Sequence, residues 1–218
     1  MTDFRFITQS IGNWTTIIIA PIMTAIVAIR LWNEYKSTNQ LNYVRLIIFF
    51  IFLAFSWAII PTNIIEVTVL SEIIPEEAIG NTLDTITPYS VAIGLMVTFA
   101  LTMIAYANQW KYLYLTPLFV YFCIVFSYIA TSFHPLYHSF NQFYILIMAV
   151  FGLLFFYITG FRLKDNGSLG LGIFFTIAFA SVIAGENVVG DILTFLIAIM
   201  GMIIALGYFQ PYKQEVEE

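Results

Sequence analysis

The side chains able to do chemistry in this chain gather at the ends of long apolar stretches rather than within them. Asn63 and Glu66 stand towards the end of one stretch, and Ser181, Glu186, Asn187 and Asp191 at the end of another. Tyr89, Tyr128 and Asn141 lie on or beside three further stretches. Carboxylates, amides and hydroxyls in this mixture suit the binding of a small polar or cationic solute. Pro61 and Gly185 lie close to them and could free backbone carbonyls towards a cation. Each acid taken singly is also explained by a solvated helix end, where a carboxylate costs little. Convergence of several polar groups at similar depth is what points to a shared site. A second pattern is His134-x-x-x-His138. On a helix this spacing puts both imidazoles on one face, as a zinc site requires. Pro135 makes the segment a turn or a helix start, and Glu66, Glu186 or Asp191 would have to complete the metal shell.

The composition says what kind of element holds these groups. Hydrophobic residues make up 61% of the 218 and charged residues 10%. The mean hydropathy is +0.90, far from the soluble range. Seven apolar stretches, at 14–32, 46–70, 88–107, 114–133, 143–161, 169–189 and 192–208, each approach the ~20 residues that cross a hydrocarbon core. None alternates with a period of two, which excludes a barrel, and lipid leaves helices as the remaining solution. The expected fold is all-α: a polytopic membrane protein with seven transmembrane helices in a single domain over 1–218, multi-pass in a cell membrane. Membrane lipid is then an obligatory partner. Alternate connections carry Arg30, Lys36, Arg45, Lys111, Arg162, Lys164 and Lys213, and the others carry Arg5. Bases stay on the cytoplasmic side during insertion, so the N-terminus is expected outside and the C-terminus inside.

The net charge of −5 hides a polar distribution. The outer connections hold Asp3, Glu66, Glu72, Glu76, Glu77, Asp84, Glu186 and Asp191, a face that concentrates cations. The inner bases are expected to orient the chain and to meet anionic headgroups. No basic, aromatic-interleaved patch exists, so nucleic acid is excluded as a partner. The first stretch lacks a basic region before it and a small-residue cleavage site after it, so no cleaved leader is expected. Cys123 is the single cysteine, which rules out an intramolecular disulfide. No cofactor is expected. Haem needs a ligand in a span core, and neither histidine lies in one. A retinal Schiff base needs a lysine within the last stretch, and 192–208 has none. No Gly-x-Ser-x-Gly nucleophile motif occurs.

Residues 55–65 and 179–189 can be aligned, matching Asn63 with Asn187 and Pro61 with Gly185, 124 positions apart. Both stretches run from inside to outside, so the relation would be a parallel 3+1+3 repeat with the fourth span as linker. That topology is similar to SWEET and related seven-span sugar carriers. Ala20-Pro21-Ile22-Met23-Thr24, and Trp57 ahead of Pro61, resemble the first half of that family. The second half departs from it: 143–161 has no proline, Gly185 stands in the following span, and no Pro-Gln pair occurs. The resemblance implies a small-solute carrier. The His134–His138 spacing resembles that of the adiponectin-receptor and alkaline-ceramidase zinc hydrolases. Those have further histidines on other spans, and this chain has two in all.

Transport of a small polar or cationic solute bound from the outer side is therefore the leading expectation. A seven-helix receptor-like sensor signalling laterally to another membrane protein comes next. A subunit of a membrane complex or homo-oligomer follows, and a zinc-dependent membrane hydrolase comes last. The inner connections at 33–43, 108–113 and 162–168 are too short to form a docking domain, which weakens the sensor.

Overall fold

The computed structural model describes residues 2–70, 88–131, 136–184 and 187–212. These residues form seven α-helices: α1 (Thr2–Thr38), α2 (Tyr43–Leu70), α3 (Pro88–Ala107), α4 (Thr116–Thr131), α5 (Leu136–Leu163), α6 (Asn166–Ala184) and α7 (Val188–Leu206). A 3-10 turn, Lys111–Leu113, joins α3 to α4. No strand occurs among the described residues, and the all-α expectation is met. Among them, Ile11–Thr38 in α1 and Val188–Leu206 in α7 are long and apolar enough to cross a membrane. Shorter apolar helical stretches occur at Arg45–Trp57, Met96–Ala107, Ala149–Leu163 and Asn166–Ser181.

Side chains and left-handed residues set the helix ends. Asn42 opens α2 by accepting from Arg45 N at 3.1 Å. Asp165 opens α6, accepting from Ser168 N at 2.8 Å and Gly167 N at 3.3 Å. Asn187 opens α7, accepting from Val189 N at 2.9 Å and Gly190 N at 3.0 Å. Each oxygen satisfies a donor that the first turn cannot. At the opposite polarity, α1, α3, α5 and α7 finish on Asn39, Gln109, Lys164 and Gly207, with φ of 52°, 54°, 50° and 78°. A left-handed residue turns the next N–H back onto the last carbonyls. Trp110 N thus reaches Ala105 O at 3.0 Å, Asp165 N reaches Gly160 O at 3.1 Å and Tyr208 N reaches Ile203 O at 3.0 Å.

One sequence expectation changes here. The stretch at 169–189 does not form one helix: α6 stops at Ala184, and Val188 and Val189 belong to α7, because Asn187 caps between them. Nor do the prolines break their helices. Pro21 lies inside α1 and Pro61 inside α2. A proline removes one N–H, and a long helix with packed neighbours absorbs that loss.

Helices close in sequence pack antiparallel. Glu34 and Thr24 of α1 bond Arg45 and Ser56 of α2. Tyr43 and Phe50 of α2 meet Tyr106 and Phe99 of α3. Tyr157 of α5 bonds Thr176 of α6 at 2.8 Å, and Ser181 of α6 meets Thr194 of α7 at 3.1 Å. Two further contacts are parallel. Met23 and Arg30 of α1 lie against Gly201 and Gly207 at the C-terminal side of α7. Asn108, just past α3, donates to Thr159 near the end of α5 at 2.8 Å. Together these contacts close the circuit α1–α2–α3–α5–α6–α7. α4 packs against α3 and α5 and leaves Phe119, Phe122 and Phe126 exposed.

Aromatic and sulfur side chains fill the centre of the ring. Phe52 and Phe55 of α2 reach across to Phe174 of α6, ring centroids 5.7 and 5.3 Å apart at steep angles. Phe156 stacks on Phe175 at 5.8 Å. Met23, Ile51, Met103 and Leu171 complete a fully buried layer. Edge-to-face rings add about 0.5–1.5 kcal/mol each beyond area burial.

Candidate functional site

At the acid-rich end of the ring, three of the expected residues come together around the α6–α7 turn. Ser181 Oγ shares a hydrogen bond with Thr194 Oγ1 and also donates to Gly190 O at 3.3 Å. Asn187 commits both halves of its amide: Oδ1 to the Val189 and Gly190 N–H groups, and Nδ2 to Ala184 O at 2.6 Å. Asp191 sits half-buried in the first turn of α7, where a helix N-terminus favours negative charge. Capping alone accounts for the Asn187 contacts.

The remaining expected residues lie where side chains are outside the described set. Asn63 and Glu66 fall in the last turns of α2, Tyr89 in the first turn of α3, Tyr128 in the last turn of α4, and His138 and Asn141 in the opening turns of α5. His134 and Glu186 lie outside the described residues altogether. Among the described residues, no group of three or more His, Cys, Asp or Glu side chains could hold a metal.

A cavity lies at the other end, where the bases are. About 690 Å³ in volume, it is lined by Arg30, Asn42, Arg45, Asp165, Asn166 and Tyr212, over an apolar floor of Val27, Ile48 and Ile204. Arg30 Nη1 donates to Ala205 O at 2.6 Å. Its guanidinium passes so close over Gly207 that a Cβ there would overlap it, and the positive φ of Gly207 independently favours glycine. Arg45 Nη1 pairs with Glu34 Oε2 at 2.5 Å, and Asn42 Nδ2 donates to Glu34 Oε1 at 3.1 Å. Asp165 is held by α6: Oδ2 also accepts from Ser168 Oγ at 2.5 Å. Asn166 and Tyr212 exchange two hydrogen bonds, 2.9 and 3.0 Å, which tie the segment after α7 across the cavity. Sequence reasoning gave these bases the roles of orienting the chain and meeting anionic headgroups, without a cavity to hold a ligand. The available signals were the Glu34–Asn42–Arg45 spacing and the placement of Arg30 inside an apolar stretch.

The floor of the cavity leads directly to the aromatic layer. Ile48 precedes Phe52 and Phe55 by one and two turns of α2, and Val27 follows Met23 by one turn of α1. The ring therefore has a polar vestibule at its base-rich end and an apolar barrier behind it. No family model, curated protein sequence or solved structure matches this chain.

Proposed function

We propose that this chain spans a cell membrane seven times, with its N-terminus outside, and carries a small polar or cationic solute between two three-helix halves. The observation carrying this reading is the way the ring closes without α4. Exchanging α1–α3 with α5–α7 maps α1·α2 onto α5·α6, α2·α3 onto α6·α7, and the parallel contact α1·α7 onto α3·α5. The spacing agrees: α1 and α5 end at 38 and 163, 125 apart, while α2 and α6 begin at 43 and 166, 123 apart. Both lie next to the 124 of the sequence alignment. Parallel repeats of this type place a solute path between their halves. Immersion in lipid is supported by large apolar side chains left exposed along the helices, among them Ile18, Ile22 and Ile29 on α1, Phe151, Leu154 and Ile158 on α5, and Ile192, Phe195 and Ile199 on α7. Patches of that extent mark a membrane or a partner.

In this reading the solute enters from the outer side, at a site expected to draw on Asn63, Glu66, Glu186 and Asn187. The base-rich vestibule is the opposite exit, and Phe52, Phe55 and Phe174 form the barrier between them. The test is a thermal-shift screen of the detergent-purified chain against amines, sugars, amino acids and divalent metals, with Glu66→Gln and Glu186→Gln run alongside. A ligand that binds the folded state raises its stability by ~2.7 kcal/mol at about a hundred times its dissociation constant. The reading expects a hit among the small solutes that both variants lose. A hit that both variants retain would remove the outer site from the account.

A further inference from the structure

We infer that the vestibule between α1, α2, α6 and α7 is a binding site for a phosphate group. This goes beyond the carrier reading: it rests on the membrane placement in that reading and not on transport. The argument rests on how the charged groups lining the cavity are used. Asp165 turns both carboxylate oxygens into the first turn of α6 and onto the Ser168 hydroxyl. Glu34 is taken up by Arg45 and Asn42. Both acids are therefore spent on local structure.

Arg30 is not matched in this way. Of the five N–H donors on a guanidinium, one meets the neutral carbonyl of Ala205, and no carboxylate pairs with Arg30 among the described residues. Arg45 lies close enough for the two positive charges to repel, with Glu34 attracting in the opposite sense. Two guanidiniums from different helices thus border one cavity of about 690 Å³ whose floor is apolar. A cation at the edge of hydrocarbon is costly unless it finds a counter-charge. A tetrahedral phosphate has enough oxygens to meet both arginines at once, and the guanidinium fork matches its geometry. The cavity lies within the ~300–1,000 Å³ range of small-molecule sites, so the phosphate can be free or carried on a small organic group. Basic pockets between helices at a membrane face also take lipid headgroups. The shared chemistry is a phosphate monoanion or dianion, and the experiment separates its sources.

The probe is inorganic phosphate, titrated into the full chain in uncharged detergent against sodium chloride at matched ionic strength, with unfolding temperature as readout. The inference predicts a saturable rise with phosphate that chloride does not give. Arg30→Gln should abolish it. Because that change also removes the bond to Ala205, Gln210→Glu provides the test in a chain expected to fold. Gln210 is exposed at the mouth of the cavity, and a carboxylate there should weaken phosphate binding about tenfold through like-charge repulsion. A second arm uses vesicles of phosphatidylcholine with and without phosphatidylglycerol. Stabilisation by phosphatidylglycerol that suppresses the inorganic phosphate effect assigns the site to a headgroup. A phosphate effect that persists in those vesicles assigns it to a soluble phosphate compound. An equal response to chloride, or a phosphate response unchanged in Gln210→Glu, overturns the inference.

Discussion

Asn187 shows how much one side chain can fix. Its amide closes two N–H groups of α7 and one carbonyl of α6. Asn187→Ala should lower stability by about 1 kcal/mol, the usual loss for an N-cap. Asn187→Asp should keep the cap to Val189 and Gly190 but lose the bond to Ala184 O, and so fall between Asn187→Ala and the unaltered chain. Chemical denaturation in detergent reads both. Nearby, Ser181 and Thr194 bond across α6 and α7. A Ser181→Ala, Thr194→Val double-mutant cycle should return a coupling near ~0.6 kcal/mol, typical of interhelical hydroxyl pairs in membranes. Asn187 is conspicuous in the sequence because it is polar between apolar runs, but its cap is hidden, since Val188 and Val189 read equally well as the end of one helix or the start of the next. Arg30 is more opaque still. Its acceptor lies 175 positions away, and a backbone carbonyl leaves no trace in residue type.

The helices that end at the base-rich side share a device, a left-handed last residue, yet α7 alone of the four uses glycine for it. For other residues that conformation costs roughly 1–2 kcal/mol, and glycine gives back about 0.5–1 kcal/mol through its freer unfolded chain. Lys164→Gly should therefore stabilise the α5–α6 turn by about 0.5–1 kcal/mol, measurable as a higher midpoint of unfolding. The same two helices are pressed together at Gly160, where a Cβ would stand 2.8 Å from Leu169 Cβ and 2.9 Å from Leu169 N. A backbone atom cannot rotate aside, so Gly160→Ala should destabilise by about 1–3 kcal/mol. Hydropathy located each helix because each is apolar over most of its length. The ends were less legible, because residues such as Ser37 and Lys36 continue α1 beyond its apolar part, and Pro21 and Pro61 sit within helices that neighbours hold together.

What the chain could not announce is which helices touch. Antiparallel neighbours follow from connections as short as Lys164–Asp165, but α1·α7 and α3·α5 bring together segments far apart in sequence. Their contacts use Met23 against Gly201 and Asn108 against Thr159, residues with no distinctive pattern. Under the proposed carrier reading, the 124-residue offset in the sequence and the exclusion of α4 describe the same two halves, meeting at a polar vestibule and an aromatic barrier. A carrier built this way must let its solute through, whereas a sensor or a subunit need only hold it. Counterflow separates them. The chain, reconstituted into vesicles preloaded with a solute that stabilises it, should concentrate the labelled form of that solute above empty vesicles, saturably, with the Glu66→Gln chain inactive. Binding without any labelled solute entering the vesicles would contradict the carrier account.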